Sequence, residues 1–89
     1  MKLLNTSRPK LTLDTIKEYI VWDIRRRWDN NTSIEHKRMI VSSVLDYILK
    51  RGGVHGWTTT LDQLDNGKTH IHIQFTDTYY TIGFVDMVL

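Results

Sequence analysis

Residues 57–75 read Trp-Thr-Thr-Thr-Leu-Asp-Gln-Leu-Asp-Asn-Gly-Lys-Thr-His-Ile-His-Ile-Gln-Phe, and this stretch decides the fold. Ile71, Ile73 and Phe75 alternate with His70, His72 and Gln74, a period of two that marks a strand with one buried face. Asp65-Asn66-Gly67 is a hairpin signal, and the length of its loop sets the register of the strand before it. A two-residue loop places Leu61 and Trp57 on the histidine face and drops Asp62 among the isoleucines. A three-residue loop, with Gly67 left-handed, pairs Leu61 with Ile71, Thr59 with Ile73 and Trp57 with Phe75, and sets Asp62 opposite His70. A slip of one residue inverts every side chain, so the register that sorts polar from apolar is the expected one.

The pattern continues past the hairpin. A turn around Asp77-Thr78 aligns Tyr80 with Phe75, Ile82 with Ile73 and Phe84 with Ile71, giving strands at about 57–64, 68–76 and 79–88. On the N-terminal side the period changes to that of a helix. Leu13, Ile16, Ile20, Ile24 and Trp28 form one apolar stripe, predicting a helix over about 14–28 that opens at the capping box Thr15-Ile-Lys-Glu18. A second box, Thr32-Ser-Ile-Glu35, opens a helix over about 33–51, which stops at Gly52-Gly53. Its buried face is Ile34, Val41, Val44, Leu45 and Ile48. A short loop between two helices makes an antiparallel hairpin. The expected fold is α+β, a two-layer ααβββ domain with the helical hairpin packed on one face of a three-stranded antiparallel meander.

At 89 residues the chain holds one domain, residues 12–89, preceded by a basic arm, residues 1–11, that carries Lys2, Arg8 and Lys10. The absence of cysteine excludes disulfides, thiolate zinc sites and a cysteine nucleophile, and favours a reducing, cytoplasmic setting. No apolar run reaches the roughly 20 residues of a membrane helix, and no secretory leader is read at the N-terminus. The net charge of +2 permits anionic partners without requiring them.

Three places carry more than structure. Trp22 falls opposite the apolar stripe of the first helix, with Arg25 and Arg26 one turn on, Tyr19 on its flank and Arg8 or Lys10 within reach from the arm. Tryptophan beside arginine suits stacked bases and phosphate, RNA or single-stranded DNA rather than duplex, and equally suits a protein hot spot. His70 and His72 project from the outer sheet face, where Asp62 completes a candidate metal site. Val85, Met87 and Leu89 fall on that same face if alternation is strict, forming an edge suited to dimerisation. A bulge at Gly83 would instead turn them inward.

No phosphate-binding glycine loop, nucleophile elbow or forced carboxylate pair is present. The expectation is a non-catalytic intracellular binding protein without a cofactor. It engages nucleic acid or a nucleic-acid-handling protein through the first helix. A pure protein inhibitor or adaptor is the alternative, possible partners being a host or cognate protein or a second copy. The remaining alternative is a metal-dependent or RNase-like enzyme using His70 and His72. In general style the chain resembles small accessory proteins of phages and mobile elements, a likeness that transfers no residue roles.

Overall fold

The computed structural model describes residues 12–77 and 83–89. Two helices, α1 (Leu13–Arg25) and α2 (Ile34–Arg51), precede three strands, β1 (Trp57–Gln63), β2 (Thr69–Phe75) and β3 (Phe84–Val88). The sheet is antiparallel in the order β1-β2-β3. The helices pack together, and α1 also packs against β3, so one sheet face is covered and the other is open. This is the two-layer ααβββ arrangement expected from the periodicities.

Burial follows the helical stripe. Ile16, Ile20 and Ile24 of α1 meet Val41, Val44, Leu45 and Leu49 of α2 over Ile71, Ile73 and Phe75 of β2. Both helices begin away from the boxes read in the sequence. α1 is capped by Thr12, whose hydroxyl accepts from the Thr15 amide at 3.2 Å. α2 is capped by Ser33, which accepts from the His36 amide at 3.1 Å. Thr32 is spent earlier, closing a turn in which its hydroxyl accepts from the Asp29 amide at 3.1 Å. Trp28 lies past the end of α1 and still packs on the core. At the far end of α2, Gly53 takes φ +87° and lets the buried Val54 donate back to the Leu49 carbonyl at 2.9 Å. Only a residue free of a Cβ adopts that left-handed turn cheaply.

The first hairpin has the expected register throughout: Trp57 faces Phe75, Thr59 faces Ile73, Leu61 faces Ile71 and Asp62 faces His70. Its loop holds three residues between Leu64 and Lys68, closed by the Leu64 amide on the Lys68 carbonyl at 2.8 Å, with Gly67 at φ +86°.

The third strand corrects the sequence reading. Val85 faces Ile73, Met87 faces Ile71 and Phe84 faces Gln74, three residues out of step with the expected alignment. An odd offset exchanges the faces. Val85 and Met87, both 4% exposed, therefore belong to the core and not to an outer dimer edge, and Leu89 packs partly against it. Phe84, placed inside by the sequence, is outside at 51% exposure. Gly83 is buried beneath Leu13, whose methyl carbons would lie 3.1 and 3.2 Å from an added Cβ. The expected turn at Asp77-Thr78 runs into residues outside those described, but the end of β2 leading to it is visible. Thr76 and Asp77 donate to the Gly56 carbonyl at 3.0 and 3.1 Å, and Asp77 accepts from the His55 amide at 2.8 Å. These bonds tie the end of β2 back to the entrance of β1. Tyr80 and Ile82 lie outside the described residues, as does the arm with Arg8 and Lys10.

Candidate functional site

α1 turns one face to the core and the other to solvent, and Trp22 sits in the middle of the solvent face at 65% exposure. Ile20 and Ile24, two residues to either side, are fully buried. The Arg26 guanidinium lies over the indole at 4.6 Å from its centroid. Asp23, whose side chain is 14% exposed, holds Arg27 at 3.1 Å and Arg26 at 3.7 Å. The i,i+3 pair orients the Arg26 guanidinium that covers the ring, and the i,i+4 pair engages Arg27.

A shallow concavity on this face is lined by Asp14, Lys17, Glu18, Val21, Trp22, Arg25 and Arg26. The structure thus brings Trp22, Arg25 and Arg26 together, as their helical spacing predicts, and sets two carboxylates, Asp14 and Glu18, beside them. Tyr19 does not line this concavity, and its side chain packs partly against the core. A related pair sits on α2, where the Arg51 guanidinium lies 4.4 Å over the exposed Tyr47 ring. The four-residue spacing of an aromatic and an arginine is the signal that would have found it.

On the open face of the sheet, His70 and His72 project side by side as expected, but their carboxylate is Asp86 rather than Asp62. Asp86 Oδ1 accepts from His70 Nε2 at 2.9 Å and from His72 Nδ1 at 2.7 Å. His72 Nε2 reaches the Gln74 side-chain oxygen at 3.4 Å, and Gln74 donates to the Gly83 carbonyl at 3.2 Å. Phe84 stacks on the His72 ring with centroids 5.3 Å apart. The corrected register of β3 explains the change of partner, since it places Asp86 directly beside His72. Among the described residues, no group of three His, Cys, Asp or Glu side chains is arranged to hold a metal ion. The arrangement ties β2 to β3 across their polar face.

Its electrostatics can be read directly. The hydrogen bond to Asp86, opposed by burial and helped by Gln74, raises the His72 pKa above 6.5. The bond from His72, with that from His70, lowers the Asp86 pKa below 3.8 despite burial. The raised histidine stabilises the fold fully below pH 6.5, and that contribution is lost as pH rises through its folded value. The lowered carboxylate contributes fully above pH 3.8, and its share is lost as pH falls through its folded value. Both operate together between pH 3.8 and pH 6.5. Thermal melts across pH should therefore show wild type gaining on Asp86→Asn in that window and losing the gain above it. Both groups are substantially solvated, so the gain is expected to be small. Identical pH profiles for the two proteins would remove this pair from the stability of the sheet.

None of the described helices is long and apolar enough to cross a membrane. Comparison with known protein families, curated proteins and solved structures finds no match to this chain.

Proposed function

We propose that this chain is a non-catalytic binding protein that recognises another protein through the outer face of α1, with Trp22 as the anchor. The observation that carries this reading is the 65% exposure of Trp22 on a helix whose other face is fully buried. Trp and Arg together are the composition of protein hot spots, and here they share one concavity with apolar Val21. Asp14 and Glu18 share the concavity with Arg25 and Arg26, so the surface is mixed in sign. Protein partners match such mixed potentials, and charge complementarity then fixes orientation.

Nucleic acid is the second reading, supported by the stacked Trp22–Arg26 pair and by Arg25, which forms no ion pair among the described residues. A phosphate chain along this face would, however, meet two carboxylates, and Asp23 already offsets Arg26 and Arg27. Fluorescence anisotropy of labelled single-stranded RNA, single-stranded DNA and duplex DNA separates the two. The protein reading expects no complex tighter than the roughly 10⁻⁴–10⁻⁶ M of non-specific binding at physiological salt. A tighter complex that weakens steeply with salt, and whose slope flattens in Arg25→Ala/Arg26→Ala, would transfer the site to nucleic acid.

A further inference from the structure

Resting on the reading of α1 as a protein-recognition surface, we infer that its partner is a second copy of this chain, docked antiparallel on α1 across a two-fold axis near Trp22. The order of charge along the helix carries the inference. Asp14, Glu18, Trp22 and Arg26 recur at four-residue spacing, which makes them one ridge of the helix surface. Read from the N-terminal end, that ridge runs acid, acid, aromatic, base. The neighbouring row of Lys17, Val21 and Arg25 places a partly buried valine beside the indole at the centre.

Such a ridge is complementary to itself when reversed. An antiparallel copy sets the acidic half of one α1 against the basic half of the other, twice over, and brings the two Trp22–Val21 patches together at the axis. A two-fold interface requires this self-complementarity, because each surface must satisfy its own image. A parallel copy would oppose like charges along the whole ridge.

Two details of the isolated chain agree. Asp14, Glu18 and Arg25 make no ion pair among the described residues, whereas Asp23, just off the ridge, is engaged twice. Asp14 and Glu18 are also like charges at i,i+4, which weakens a lone helix and is relieved by arginines from outside. One helix face buries less than the roughly 1,200 Å² of a standard interface, so the dimer should be weak and in fast exchange.

Sedimentation velocity on the full chain tests this across a concentration series reaching about 1 mM, appropriate to so small an interface. Wild type is expected to pass from monomer to dimer, and Trp22→Ala to weaken the dimer by roughly thirtyfold, as loss of a hot spot does. Glu18→Arg alone, and Arg25→Glu/Arg26→Glu alone, should each be monomeric. An equimolar mixture of those two variants should restore a dimer, because the reversed charge at position 18 then meets the reversed charges at positions 25 and 26, while the native arginines of the first variant meet Asp14 and Glu18 of the second. Circular dichroism of each variant checks that the fold is retained, as the positions are exposed.

A wild type that stays monomeric throughout, or variants that fail to pair when mixed, would overturn the homodimer. In that case capture of a different protein, lost in Trp22→Ala, would leave the recognition surface standing and remove only this partner. Co-sedimentation of single-stranded RNA that depends on Arg25 and Arg26 would remove both.

Discussion

Ile20→Ala is expected to lower the free energy of unfolding by about 2–5 kcal/mol, and Trp22→Ala, two residues along the same helix, by no more than about 1 kcal/mol. Ile20 is fully buried in the layer between α1 and the sheet, so its truncation loses transfer free energy and leaves a cavity. Trp22 is already largely solvated, and its visible intramolecular partner is the Arg26 guanidinium. Small domains have only about 5–15 kcal/mol in total, so the first change removes a large share of the stability and the second leaves a folded protein. Urea denaturation of both variants measures the contrast directly. A cost for Trp22→Ala as large as that for Ile20→Ala would make Trp22 a structural residue and take away the basis for a binding surface on α1.

The second large effect concerns Lys37, which is 2% exposed although it is a charged residue of α2. Its Nζ donates to the Thr69 hydroxyl at 3.0 Å and lies 5.0 Å from the centroid of the Trp28 ring. Thr69 is itself fully buried at the start of β2 and exchanges both backbone hydrogen bonds with Leu89, at 2.7 and 2.8 Å. Thr69→Val keeps the shape of the side chain but withdraws the oxygen acceptor, leaving a buried donor without its partner. The expected cost is about 1–3 kcal/mol. Lys37→Met keeps the length and removes the polar group, and should be close to neutral or stabilising. In the double variant most of the Thr69→Val penalty should disappear, a coupling that a double-mutant cycle on thermal or urea unfolding reads out. If Lys37→Met costs as much as Thr69→Val, the lysine holds α2 to β2 by more than this one bond.

The candidate sites were legible to different degrees. Trp22, Arg25 and Arg26 could be placed on one solvent face because helical spacing alone decides which side chains share a face. The carboxylates completing that surface, Asp14 and Glu18, obey the same spacing and could have been read with them. The partner of the histidines could not. Asp86 reaches His70 and His72 only because β3 is set three residues from the alignment that alternation and a tight turn suggest. Phe84, the ring that stacks on His72, changed faces with the same shift.

The sequence by itself determined the order of elements, the buried stripe of α1 and the register of the first hairpin. Each depends on neighbours a few residues apart: a period of 3.6 or 2, and a left-handed glycine in a three-residue loop. Only the tertiary structure decided the register of β3 and the fate of Lys37. Val85 and Met87 turn inward because α1 covers that face and Leu13 occupies the space over Gly83. Lys37 is buried because Trp28 and Thr69, distant in sequence from each other, meet around its head group. Both outcomes are set by contacts between layers, whose energies no local pattern of residues contains.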